Sequence, residues 1–146
     1  GKIYVMGGNI RDDEGYMAAT GCMDMYDPAA NSWQHLAAMP TTRCSHAAAV
    51  LNGKIYVSGG YNTLGDRSDA LEAYDPVANA WTTLASLCQG RVGHASTAFS
   101  GKLYVFGGYL DSGNMDLVEA YSPASNSWAS AADLPWPIED SVAVAL

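Results

Sequence analysis

Residues 53–60 read Gly-Lys-Ile-Tyr-Val-Ser-Gly-Gly, and the same phrase recurs twice. It opens the chain at Gly1 and returns at Gly101, with Leu103 in place of isoleucine. Each copy runs into a glycine pair: Gly7-Gly8, Gly59-Gly60 and Gly107-Gly108. Beyond each pair stands a tyrosine two residues before a proline, at Tyr26, Tyr74 and Tyr121. Asn-x-Trp follows, ending in Trp33, Trp81 and Trp128. Successive tyrosines are 48 and 47 residues apart. A fixed period of that size marks a repeat architecture in which each unit buries its apolar faces against its neighbours.

The spacing separates scaffold from loop. Tyrosine to tryptophan is seven residues in every copy. Ten residues after Trp33 and Trp81 come Arg43 and Arg91; the third copy has Ile138 at that place. All variation lies between the glycine pair and the tyrosine, where the intervals are 18, 14 and 13 residues. Variable loops on a constant frame are where binding tends to reside. These loops, 9–20, 61–69 and 109–116, carry Tyr16, Tyr61 and Tyr109. Trp136 lies outside the repeated tryptophan position.

Ile3-Tyr4-Val5, Ile55-Tyr56-Val57 and Leu103-Tyr104-Val105 are apolar on both alternating faces. A sheet with one wet face would alternate, so these strands are expected between two layers. Asp27-Pro28-Ala29-Ala30-Asn31 is turn chemistry, with proline presetting φ and asparagine tolerating the left-handed region. The stretches 45–50 and 94–98 are rich in small residues and suit a crowded innermost strand. The middle unit is read as strands 44–51, 54–60, 69–76 and 80–87.

Composition agrees. The chain has 146 residues, 49% hydrophobic and only 15% charged, enough apolar material for a core. The net charge of −8 and scattered lysines argue against phosphate-backbone binding. No apolar run approaches the length of a membrane-spanning helix. Cys22, Cys44 and Cys88 have neither disulfide-framework nor zinc spacing and suit reduced thiols.

The glycine pair, tyrosine and tryptophan in units of this length resemble the kelch repeat, across essentially the whole chain. The resemblance implies an all-β fold, a propeller segment of four-stranded antiparallel blades. The repeat units are then approximately 1–43, 44–91 and 92–138, with an inner strand at 139–146. Gly7, Gly8, Tyr26, Trp33, Gly59, Gly60, Tyr74, Trp81, Gly107, Gly108, Tyr121 and Trp128 are the structural motif, and the tryptophans are expected at least half buried. The sequence is most similar to the kelch domains of BTB-kelch ubiquitin-ligase adaptors. That implies a non-catalytic module of the cytoplasm that presents loops to a protein or peptide partner. In those adaptors arginines at the place of Arg43 and Arg91 face the partner pocket, where a guanidinium fork suits carboxylates. Arg43, Arg91, Tyr61, Tyr109 and Trp136 are therefore the candidate contacts. The competing expectation is that each arginine pairs internally with Glu72 or Glu119. An enzyme with its active residues elsewhere, or an actin-binding scaffold, is the alternative function.

No catalytic or metal-binding constellation stands out, and no cofactor is expected. His46 and His94 recur three residues after the arginines, which suggests packing; the third copy has Ser141. Some plant kelch proteins bind iron through Glu-x-x-Asp-x-x-x-His, but Glu72 and Asp75 lead here to Asn79, the turn asparagine. The acidic run Asp12-Asp13-Glu14 has too few ligands for calcium. The chain starts on a second strand and finishes on a first strand. Two arrangements supply the rest of the ring: further blades of the same polypeptide, or a second copy making six blades.

Overall fold

The computed structural model describes residues 1–11 and 13–146. The described residues form strands, turns and links, with no helix. The first blade consists of β1 (Ile3–Met6), a side hairpin of β2 (Asn9–Arg11) and β3 (Met17–Ala19), then β4 (Met23–Asp27) and β5 (Ser32–His35). The second blade consists of β6 (Ala47–Leu51), β7 (Lys54–Ser58), β8 (Leu71–Asp75) and β9 (Ala80–Thr83). The third consists of β10 (Ala95–Phe99), β11 (Lys102–Phe106), a side hairpin of β12 (Tyr109–Leu110) and β13 (Gly113–Asn114), then β14 (Val118–Ser122) and β15 (Ser127–Ser130). Blades 2 and 3 are four-stranded antiparallel meanders; blade 1 has three strands in the order β1-β4-β5. Register repeats between copies: Ile3, Tyr26 and Trp33 lie in one cross-strand row, as do Ile55, Tyr74 and Trp81, and Leu103, Tyr121 and Trp128.

The core lies between the blades, as the doubly apolar strands require. Met23 and Met39 of blade 1 pack against Ile55, Val57 and Tyr74 of blade 2. The opposite face of blade 2, with Leu51, Tyr56, Leu71 and Ala73, packs against Leu103, Val105 and Tyr121 of blade 3. The pleat sends Tyr56 one way and Ile55 and Val57 the other. The glycine pairs end the second strands. Gly59 and Gly60 have φ of +62° and +96°. A Cβ on Gly59 would meet the His94 ring and come within 2.6 Å of the Arg91 carbonyl, so no larger residue fits.

A repeated latch joins neighbouring blades. Asn79 Oδ1 accepts from the Ala37 amide (3.0 Å) and from Tyr74 Oη–H (2.8 Å), while Trp81 Nε1–H donates to the Ala37 carbonyl (2.8 Å). One blade on, Asn126 Oδ1 accepts from the Ala85 amide (2.9 Å) and Tyr121 (2.8 Å), and Trp128 donates to the Ala85 carbonyl (2.7 Å). Asn79 and Asn126 sit at φ +48° and +47°, where asparagine costs little. The motif asparagine thus closes a turn and binds the previous blade at once.

Three expectations need correction. Trp33 is 61% exposed instead of half buried, because residues 1–146 place no blade on its side of blade 1. Trp81 and Trp128, covered by blades 1 and 2, are half buried. Residues 141–146 form no strand, since no second strand lies beside them; Asp140 still donates its amide to the Gly93 carbonyl (2.7 Å). The middle-blade strands are shorter than 44–51, 54–60, 69–76 and 80–87. The left-handed glycines stop β7, and beyond β9 the ladder continues only as single bonds, Leu84 to Leu71 and Leu87 to Asp69.

Candidate functional site

The two repeated arginines are internal. Arg43 and Arg91 are both 0% exposed. Arg43 Nη1 donates to the carbonyls of Gly59 (2.8 Å) and Ala70 (3.1 Å), and Nη2 to Glu72 Oε2 (2.8 Å). Thr41 Oγ1–H donates to the other Glu72 oxygen (2.7 Å). Arg91 repeats this with Gly107 (3.1 Å), Leu117 (3.4 Å) and the Glu119 carboxylate, whose other oxygen accepts from the Cys88 amide (3.1 Å). Burial lowers both guanidinium pKa values, and Glu72 and Glu119 act in the opposite direction. Each ion pair ties the link before an inner strand to the end of its own blade. The expectation that these arginines touch a partner is therefore corrected: no guanidinium face remains for one.

His46 and His94 lie beneath the same links. Ser58 Oγ lies 2.8 Å from His94 Nε2. Burial foremost, with the neighbouring arginines, pushes His46 down to about 4 and His94 to about 3, so both are neutral at pH 7. Among the described residues no group of three or more His, Cys, Asp and Glu side chains could hold a metal ion. Of the acidic run, Asp12 lies outside the described residues.

The exposed chemistry is in the loops. Between the variable loops of blades 2 and 3 lies an open groove of about 770 Å³, lined by Tyr61, Arg67, Gln89, Leu110, Asp111 and Ser112 among others. Tyr61 and Tyr109 follow their glycine pairs directly and are anchored by backbone pairing to Cys44 and Val92 at the arginine links. The Arg67 guanidinium lies 5.8 Å from the Tyr61 ring and 5.3 Å from the Tyr109 ring. Such cation–π contacts hold a cation without consuming its in-plane donors. Arg67 Nη1 pairs with Asp111 Oδ1 at 2.6 Å. The Arg67 side chain is 18% exposed and that of Asp111 92%. Hydrogen bonding to Asp111 raises the Arg67 pKa. Arg67 Nε is buried and has no hydrogen-bond partner among the described residues. Gly90 makes room for this arrangement, because a Cβ there would run into the Arg67 carbonyl.

The structure thus brings Tyr61 and Tyr109 together around a cation the sequence reading passed over. Arg67 belongs to no repeated position, and its signal was only that it is the sole basic residue in the second variable loop. Trp136 is 65% exposed and stands two residues before Ile138. Gln89 stands two before Arg91, so Trp136 holds the Gln89 place one blade further on.

A model of the KLHDC2/KLHL20/DRC7 Kelch-repeats domain matches residues 1–144. The chain belongs to the kelch-repeat family. It is 40% identical over 60 residues to Kelch-like protein 33 of Homo sapiens, which covers 41% of this chain and 10% of that protein. It is 31% identical over 67 residues to Kelch repeat and BTB domain-containing protein 12 of Homo sapiens, covering 46% of this chain and 11% of that protein. Each match thus spans only a small part of the curated relative. The kelch fold itself superimposes on the solved structure of YjhT with a TM-score of 0.84 at 22% identity, over 95% of this chain and 51% of that one. No helix among the described residues is long and apolar enough to cross a membrane.

Proposed function

We propose that the chain is a non-catalytic protein-recognition segment whose loop face takes a partner peptide into the groove between Tyr61 and Tyr109. The observation that carries this reading is Arg67, set over the rings of Tyr61 and Tyr109 and paired with a carboxylate that is itself almost wholly in solvent. An ion pair so exposed is worth about 0–1 kcal/mol, so a partner's carboxylate can take the place of Asp111 at little cost. The chain carries net charge −8, which repels acidic partners at long range. A local, pre-positioned guanidinium is then what makes capture specific. The tyrosines give a rigid aromatic contact area of the kind that anchors interfaces. Trp136, exposed at the Gln89 place one repeat on, offers a further aromatic contact.

In its most specific form the partner is a substrate recruited to a cullin ubiquitin ligase. That form is supported by the likeness to a relative named for kelch repeats and a BTB domain. The test is selection of a displayed peptide library on the chain, followed by affinity measurement on the enriched peptides. Enrichment of Asp- or Glu-bearing peptides whose affinity falls at least tenfold with Arg67→Ala supports the reading. Peptides without acidic enrichment, or equal affinity for Arg67→Ala, overturn it.

A further inference from the structure

Two loop tips bring charge to the groove between blades 2 and 3. In blade 3, β12 and β13 pair Tyr109 with Asn114 and Leu110 with Gly113, so Asp111 and Ser112 form the two-residue tip of that hairpin. In blade 2 the loop is folded on Asn62. Its Oδ1 accepts from the amides of Leu64 (2.8 Å) and Asp66 (2.9 Å), and its own amide donates to the Asp66 carbonyl (3.0 Å). Asparagine favours such turns because its side chain can bond the backbone just ahead of it. Tyr61 and Arg67 form a bridge at the neck of the loop, so Asp66 is fixed directly before Arg67.

The groove therefore holds three charged side chains, Asp66, Arg67 and Asp111, a net −1. The cation is the anchored member. Arg67 lies over the rings of Tyr61 and Tyr109, and its side chain is 18% exposed. The carboxylates are the open members: Asp66 is exposed, and Asp111, 92% exposed, meets Arg67 from the solvent side. Gln89 and Ser112 also line the groove. Both can donate or accept, so neither selects the sign of a ligand's charge.

Capture of a ligand changes this balance in a way that depends on the ligand. A partner that brings only a carboxylate displaces Asp111 from Arg67. Three carboxylates then share one guanidinium, and the groove moves from −1 to −2. The surrounding chain, at −8, adds to the repulsion. A partner that brings an acidic and a basic side chain together leaves the count at −1. Its acid takes Arg67, and its base takes the released Asp111 with Asp66 in the same groove. One ion pair is exchanged for two. The pairs are open to water, so the gain in affinity is small, and the main consequence is discrimination against partners that crowd like charges together. A partner carrying only positive charge would leave Arg67 on Asp111 and find Asp66 alone.

We propose that the groove reads a charge pair: an acidic side chain for Arg67 and, close to it in the partner chain, a Lys or Arg for Asp111. Asp111 is then a specificity-determining residue as well as the internal competitor for Arg67. This rests on the reading of the groove as a peptide site.

Two parallel selections of a displayed random-peptide library, on the chain and on Asp111→Asn, test this. Asp111 is at an exposed loop tip, and circular dichroism confirms that the variant is folded. The chain is expected to enrich peptides that hold Asp or Glu together with Lys or Arg. Asp111→Asn is expected to enrich peptides that hold Asp or Glu without that companion. Replacing the basic residue of an enriched peptide by alanine is expected to weaken binding to the chain about fivefold, the scale of one exposed ion pair, and binding to Asp111→Asn less than about twofold. Acid-only peptides are expected to bind Asp111→Asn more tightly than the chain, because the internal competitor is gone. Acidic enrichment with no basic companion, or an equal loss on both proteins when the basic residue is removed, overturns the charge-pair proposal and leaves acidic capture at Arg67 standing. The absence of acidic enrichment on both proteins overturns both.

Discussion

Blades 1 and 2 carry the same motif and meet different neighbours. Tyr74 is 1% exposed and Trp81 half buried, while Tyr26 is partly open and Trp33 is 61% exposed. Asn79 accepts two hydrogen bonds where Asn31 accepts one. Tyr–Trp ring separations are nonetheless 5.2 Å in blade 2 and 5.0 Å in blade 1. The motif therefore encodes geometry within a blade, and the adjoining blade supplies the burial. A repeat residue has no fixed energetic worth, and its worth is set by whether the preceding unit is present.

The largest expected difference concerns charge. Blade 2 holds a fully buried Arg43–Glu72 pair, and blade 1 holds the open Asp24–His35 pair at the corresponding glutamate position. Arg43→Ala or Arg91→Ala leaves a buried carboxylate without its partner, which costs about 3–5 kcal/mol. Asp24→Ala costs at most about 1 kcal/mol. Thermal or denaturant unfolding of the variants reads the difference. Similar midpoints for Arg43→Ala and Asp24→Ala would break the comparison. The tryptophans should separate almost as widely. Trp81→Ala opens a cavity between blades 1 and 2 and costs about 3–5 kcal/mol. Trp33→Ala, in the chain of residues 1–146, costs about 1 kcal/mol or less.

The frame was legible because the repeat restates it. The intervals from tyrosine to tryptophan located β4 with β5, β8 with β9 and β14 with β15, and the doubly apolar Ile-Tyr-Val runs announced layers on both sides. The arginines were harder to place. Glu72 and Glu119 stand 29 and 28 residues beyond Arg43 and Arg91, a recurrence that pointed inward, yet guanidinium chemistry alone fits a ligand as well. Arg67 was illegible for a different reason. Its meaning comes from two loops of unequal length meeting across blades, and no spacing within one repeat records that encounter. The exposure of Trp33 was illegible because the motif recurs in every blade while burial depends on the neighbouring blade.

Acid should sharpen the contrast along the inner strands. His94, held between blades 2 and 3, is pushed down to about 3, and His46, beside blade 1, to about 4. Unfolded histidine titrates near 6.5. Both folded values are depressed, so the neutral forms contribute stability above pH 6.5. That contribution drains as pH falls from there toward the folded values. At pH 5 each histidine subtracts roughly 2 kcal/mol on this basis. His94→Ser, which copies Ser141 of the third repeat, should flatten the pH 5–7 slope of unfolding free energy. An unchanged slope would mean that His94 is charged within the fold.

The smallest expected effect isolates the latch. Asn79→Gly keeps the left-handed turn available and removes the acceptor that binds both Tyr74 and the Ala37 amide. A hydrogen bond of this kind is worth about 1 kcal/mol net, and the amide of Ala37 then lacks its protein partner. Asn31→Gly loses only the bond from Tyr26 within its own blade. Asn79→Gly should therefore cost about 1 kcal/mol more than Asn31→Gly. Hydrogen exchange adds a local reading, since the Ala37 amide should lose protection in Asn79→Gly and keep it in Asn31→Gly.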